Sequence, residues 1–158
     1  TVTKLSKLHE LKLEGNRFSE IEQKRIKKLL PNVKISFVRI MTSLEDAIVN
    51  QPSKVDVLFL NYHKLRKLPA IIKHLSGLKE LHLAHNDIRS LPKEISSLKM
   101  LQTLDLSHNK ITKLPKEIKQ LTSLKKLNLT GNKISEKEIE KIQAALPKTE
   151  ILITKSEK

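Results

Sequence analysis

Leucine returns along this chain at a fixed step. From Leu60 to Leu83, Leu106 and Leu129 the interval is 23 residues each time. One pattern surrounds three of those anchors: Leu78-x-x-Leu81-x-Leu83-x-x-Asn86-x-Ile88, Leu101-x-x-Leu104-x-Leu106-x-x-Asn109-x-Ile111 and Leu124-x-x-Leu127-x-Leu129-x-x-Asn132-x-Ile134. A unit this short cannot enclose a core by itself and must stack on copies of itself, so the period predicts a solenoid. The frame extends outwards. A step back of 23 from Leu60 reaches Phe37, a further 24 reaches Leu13, and a step forward of 24 from Leu129 reaches Ile153. The reading is an α/β solenoid, a short horseshoe arc of about seven parallel strands centred near residues 12, 36, 59, 82, 105, 128 and 152. Those strands line the concave face, and short helices or 3-10 turns line the convex one. At about 4.8 Å between neighbouring strands, such a sheet is about 30 Å wide.

Each marked position has a physical task. In Leu81-His82-Leu83 the leucines turn inward and His82 turns outward, because side chains alternate along a strand. Past the strand the chain bends inward and its backbone groups leave the sheet. An asparagine amide, with donors and an acceptor, can satisfy them. Asn16, Asn86, Asn109 and Asn132 form the expected structural ladder, interrupted where Ile40 and His63 take the position. On the return side stand Leu68-Pro69-x-x-Ile72, Leu91-Pro92-x-x-Ile95 and Leu114-Pro115-x-x-Ile118, in which the preset φ of proline suits the first position of a short helical turn.

The ends differ from the middle. Ser19 with Glu22 and Ser135 with Glu138 read as capping boxes opening true helices, stopped before Pro31 and Pro147 and followed by strands. Residues 135 to 154 are read as a closing helix and strand, and Thr42-x-x-Glu45 with the stretch through Val49 looks like an opening cap. A single domain over residues 1 to 158, with helices at 19 to 30 and 43 to 50, keeps the register unbroken; the alternative architecture places a joint near residues 38 to 43. The first coil, with Leu5, Leu8 and Leu11, has nothing visible ahead of it. Its cover is expected from residues preceding Thr1 or from self-association through that coil.

Leu91-Pro92-Lys93-Glu94-Ile95 and Leu114-Pro115-Lys116-Glu117-Ile118, with the closing helix from Ser135 to Leu146, carry a family resemblance. The chain resembles the bacterial leucine-rich repeat proteins with 23-residue repeats of the LPxxI type, closely over residues 44 to 158 and more loosely over 5 to 37. That resemblance implies a virulence-associated binding role in pathogenic bacteria, toward a host protein or in surface attachment. It also implies secretion or surface display once a signal is removed, the alternative being a cytoplasmic protein. Some related effectors append a cysteine-dependent ubiquitin ligase domain, and this chain has no cysteine.

The absence of cysteine removes a thiol nucleophile, a disulfide framework and a zinc finger from consideration. With three glycines there is no phosphate-cradling loop and no nucleophile elbow, and an open sheet excludes no water. The chain therefore reads as a noncatalytic binder without a cofactor. No apolar run reaches the roughly 18 residues of a membrane span. The concave positions Val57, Phe59, Tyr62, Glu80, His82, Thr103, Asp105, Lys126 and Asn128 are the candidate face for a protein ligand. Phe59, an aromatic on an outward position, is its natural anchor. No metal centre is read: His85 and His108 share a row and are the weak candidates, two ligands where zinc needs three or four. The net charge of +14 supports an alternative, a salt-sensitive binder of acidic, sulfated glycans through the loop edge of Lys64, Arg66, Arg89, Lys110, Lys113 and Lys133. An aromatic content of 3% argues against sequence-specific nucleic-acid binding, which needs stacking platforms.

Overall fold

The computed structural model describes residues 10–12, 20–29, 34–36, 40–41 and 55–154. The chain divides into two compact units, Thr1–Ile40 and Met41–Lys158. In the first, strands β1 (Glu10–Lys12) and β2 (Lys34–Ser36) pair in parallel with Leu11 opposite Ile35. Parallel neighbours need a crossover, and helix α1 (Glu20–Leu29) supplies it.

The repeats build the other sheet. Strands β4 (Val57–Phe59), β5 (Glu80–His82), β6 (Thr103–Asp105), β7 (Lys126–Asn128) and β8 (Glu150–Leu152) run parallel in sequence order. Leu58, Leu81, Leu104, Leu127 and Ile151 are successive partners. Among the described residues the expected single sheet of seven strands is not found. β1 and β2 make a sheet of their own, and the two-residue strand β3 (Ile40–Met41) takes the place beside β4 that the even spacing assigned to residues near 36. The reason lies in the stretch between Ser36 and Val57: it contains a second apolar pair, Ile40-Met41, so a 23-residue step there does not make its two ends neighbours. The helix expected at 43 to 50, Asn16, and the side chains of Leu5 and Leu8 lie outside the described residues.

Inside the repeat unit, leucines meet leucines. Leu58, Leu81, Leu83, Leu104, Leu106 and Leu127 are fully buried, as are Ile72 and Ile95 from the return side. The 3-10 helices Ala70–His74, Lys93–Ser97 and Lys116–Gln120 form that side and nest one on the next. Their prolines stand one residue earlier than expected, as N-caps with φ of −65°, −71° and −65° for Pro69, Pro92 and Pro115. The proline carbonyls accept the N–H groups of Ile72, Ile95 and Ile118 at 3.2, 3.1 and 3.0 Å. Each proline thus opens its turn as an acceptor, the role that its missing N–H leaves intact.

The closing helix α2 (Glu136–Ala145) starts without the capping box. The Ser135 side chain makes no cap bond; its carbonyl accepts the N–H groups of Glu138 and Ile139, each at 3.0 Å. Glu138 does not reach back, because its carboxylate lies 3.3 Å from the ammonium of Lys141, one turn onward.

Candidate functional site

The asparagines hold the loops that carry the candidate face. The Asn86 amide donates to the carbonyls of Leu60, Leu83 and Ala84 at 2.8, 2.9 and 3.2 Å, and its oxygen accepts the Leu65 N–H at 3.0 Å. Asn109 repeats the arrangement on Leu83, Leu106, Ser107 and Ile88. Asn132 bonds Leu106, Leu129 and Ile111. At His63 the ring turns outward, its Nδ1 2.7 Å from the carbonyl of Asn61. Among the described residues no buried side-chain nitrogen or oxygen lacks a partner.

Strand register sets the remaining candidates in rows. Val57, Glu80, Thr103 and Lys126 are successive partners, and so are Phe59, His82, Asp105 and Asn128. Val57 is only 5% exposed. Phe59, Glu80, His82, Thr103, Asp105 and Asn128 are half-buried, and Lys126 is exposed. The Phe59 ring stacks on His82 with centroids 4.4 Å apart and planes 21° from parallel. At the edge of the same ring, His82 Nε2 lies 3.1 Å from Glu80 Oε2. Asp105 and Asn128 each turn one side-chain oxygen onto a nearby N–H, that of Ser107 at 2.9 Å and that of Thr130 at 3.1 Å. A second carboxylate oxygen on Asp105 and the amide NH2 of Asn128 remain for a partner.

Tyr62 belongs to a third row, at the loop just past the strands. Tyr62 stacks on His85 at 4.5 Å and His85 on His108 at 4.3 Å, with planes 7° and 9° from parallel. All three adopt left-handed backbone, with φ of 62°, 55° and 52°, and Gly131 follows in the next coil at 73°. A side-chain-bearing residue there costs roughly 1–2 kcal/mol, which stacking of the rings offsets in part. The same geometry bears on metal binding by His85 and His108. Nearly parallel rings hold their nitrogen lone pairs in separate planes, so they do not converge on one ion. Among the described residues no group of three His, Cys, Asp or Glu could hold a metal. Ring-bearing residues at one frame position, ending in a glycine, were the sequence signal for this column.

The basic edge is not uniform. Lys64, Arg66, Arg89, Lys110, Lys113 and Lys133 are all exposed, but Asp87 sits among them with its carboxylate 2.6 Å from the Lys110 ammonium. The hydrogen bond and charge of Lys110 hold the Asp87 carboxyl below its usual range, helped by Arg66 and Arg89. Part of the positive charge is therefore already answered within the chain.

A family profile described as leucine-rich repeat region matches residues 57–147. The structure of a leucine-rich repeat protein from Leptospira interrogans matches with a TM-score of 0.64 and 39% identity, covering 95% of this chain and 38% of that one. This chain thus spans well under half of that protein. The crystal structure of PEPR1-AtPEP1 has a TM-score of 0.51 at 23% identity over 64% of this chain and 15% of the other, a likeness of fold alone. No curated protein matches the chain. Among the described residues no helix is long and apolar enough to cross a membrane. With the repeat frame, the asparagine ladder, the parallel sheet and the profile match in agreement, the chain belongs to the leucine-rich repeat proteins.

Proposed function

We propose that this chain is a noncatalytic protein-binding scaffold whose recognition face is the outward side of the repeat sheet, from Phe59 across to Lys126 and Asn128. Leucine-rich repeats generally mediate protein–protein interaction, and the observation that carries the reading here is the contrast between the two sides of each strand. Inward positions repeat as leucine, whereas the outward partners change from Phe59 to His82, Asp105 and Asn128. The Phe59–His82 stack supplies a pre-positioned apolar anchor, of the kind that dominates binding when a partner buries it. Glu80, Asp105 and Lys126 around it supply charges of both signs, which select a partner more than they tighten it. A closer affiliation with bacterial proteins of LPxxI repeats is part of the proposal, supported by the two Leu-Pro-Lys-Glu-Ile segments and the Leptospira interrogans relative. A host-protein or surface-attachment role is the setting we assign to it.

The test is a pull-down from extracellular and cell-surface extracts at physiological and at doubled ionic strength. The native chain is compared with Phe59→Ala/His82→Ala and with Lys110→Glu/Lys133→Glu. A protein retained by the native chain and by the edge variant, through the higher salt, and lost from the face variant supports the reading. Material that salt elutes alike from native chain and face variant, and that the edge variant does not hold, replaces it with polyanion binding at the basic edge.

A further inference from the structure

Charge is unevenly placed on this chain. Between Val55 and Thr154 the sequence has eighteen lysines and arginines against ten aspartates and glutamates. Strand alternation turns the first and third residues of β4 to β8 outward. That side carries Glu80, Asp105 and Glu150 but a single cation, Lys126, and the other seventeen lie elsewhere. The total charge favours acidic partners, yet the surface that would meet a partner here is net negative.

The groups on this side are not equally committed. Glu80 is held by His82 at 3.1 Å. One oxygen of Asp105 accepts the Ser107 N–H at 2.9 Å, and among the described residues neither Asp105 nor Lys126 has an ion-pair partner. Asp105 is half-buried, so a cation brought to its free oxygen is less screened than one at an exposed carboxylate. Next to it in the row stands the Phe59–His82 stack. With strands about 4.8 Å apart, the middle of that stack is about 7 Å from Asp105. Same-side residues of an extended chain recur at nearly that distance, two steps of about 3.3 Å.

We propose that this face takes a basic, extended segment of a partner protein, with an apolar side chain on the Phe59–His82 stack and an arginine two residues away at Asp105. The inference rests on the sheet side being the recognition face, and it adds the sign and the spacing of what that face holds. Arginine suits the position better than lysine, because its planar, weakly hydrated guanidinium fits a half-buried carboxylate beside aromatic rings. An acidic segment would instead meet Glu80, Asp105 and Glu150 as like charges.

NMR titration of the full, isotope-labelled chain with the blocked peptide Gly-Arg-Ser-Leu-Ser-Arg-Gly tests the assignment. An arginine stands two residues to each side of the leucine, so the peptide can engage in either chain direction. The amide signals of His82 and Asp105 should shift and saturate. The version with glutamate for both arginines should leave them in place, and the version with alanine for leucine should bind several-fold more weakly. Asp105→Asn should weaken the arginine peptide about tenfold. That variant keeps the fold, because Asn128 already makes the equivalent bond to Thr130. Lys126→Gln should tighten binding about twofold by removing a like charge roughly 8 Å away. Glu117→Gln, on the return side, should change nothing. No shift with the arginine peptide, equal binding of the glutamate peptide, or an affinity untouched by Asp105→Asn overturns the assignment. Failure of the face itself reads out separately, as a protein partner that Phe59→Ala/His82→Ala still retains.

Discussion

The imidazole of His108 lies against Gly131, so close that a β-carbon on the glycine would stand 2.6 Å from its Nδ1. The glycine also sits at a φ of +73°. Gly131→Ala therefore meets two penalties, backbone strain of roughly 1–2 kcal/mol and a collision with the ring. Urea unfolding should show a larger loss in the native chain than in His108→Ala, where the strain alone persists. Equal losses in both backgrounds would mean that the ring simply swings away.

Asn109 is 7% exposed, and its amide donates to the carbonyls of Leu83, Leu106 and Ser107 while its oxygen accepts from Ile88. Asn109→Ala leaves the buried Ile88 N–H unpaired, while the carbonyls of Leu83, Leu106 and Ser107 each keep a second donor, so the urea midpoint should fall by an amount worth roughly 1–3 kcal/mol. Asn128→Ala, which loses one bond on the half-buried sheet face, should cost about 1 kcal/mol or less. A similar loss for the two would remove the ladder from its structural role.

Phe59 and His82 should be energetically coupled before any partner arrives. A double-mutant cycle on Phe59→Ala and His82→Ala is expected to give a coupling of about 0.5–1.5 kcal/mol for the stacked rings. A value indistinguishable from zero would mean that the anchor is not pre-positioned.

The Asp87–Lys110 pair has a defined pH signature. Because the folded carboxyl titrates below its usual range, its contribution is present above the unfolded value of about 3.9 and is lost as pH falls through the folded one. Asp87→Asn should therefore be slightly less stable than the native chain at pH 7 and equal to it in strong acid. Added salt should narrow the neutral-pH difference, since the pair is exposed.

Periodicity made the repeat core legible. Leu81, Leu104 and Leu127 had to be stacked neighbours once the interval was seen, and rows of outward residues followed from strand alternation alone. The start of the chain was less legible because spacing fixes adjacency only when nothing strand-like intervenes, and Ile40-Met41 does. The ring column from Tyr62 to His108 could be placed in one row from sequence. Its stacking depends on left-handed backbone at each member, which a spacing pattern does not report.

The asparagine bonds give the array a polarity. Asn109 accepts from Ile88 and donates to Leu83, and Asn132 does the same for Ile111 and Leu106, so every loop is completed by the coil that comes after it. Each of these loops therefore has its last backbone N–H satisfied only when the following coil is in place. A proteolytic cut between two coils would likewise yield unequal halves. Both pieces are left with bare backbone groups, the N–H groups of Gln102 and Lys110 among them on the downstream side, but only the upstream piece loses the asparagine that completes its last loop.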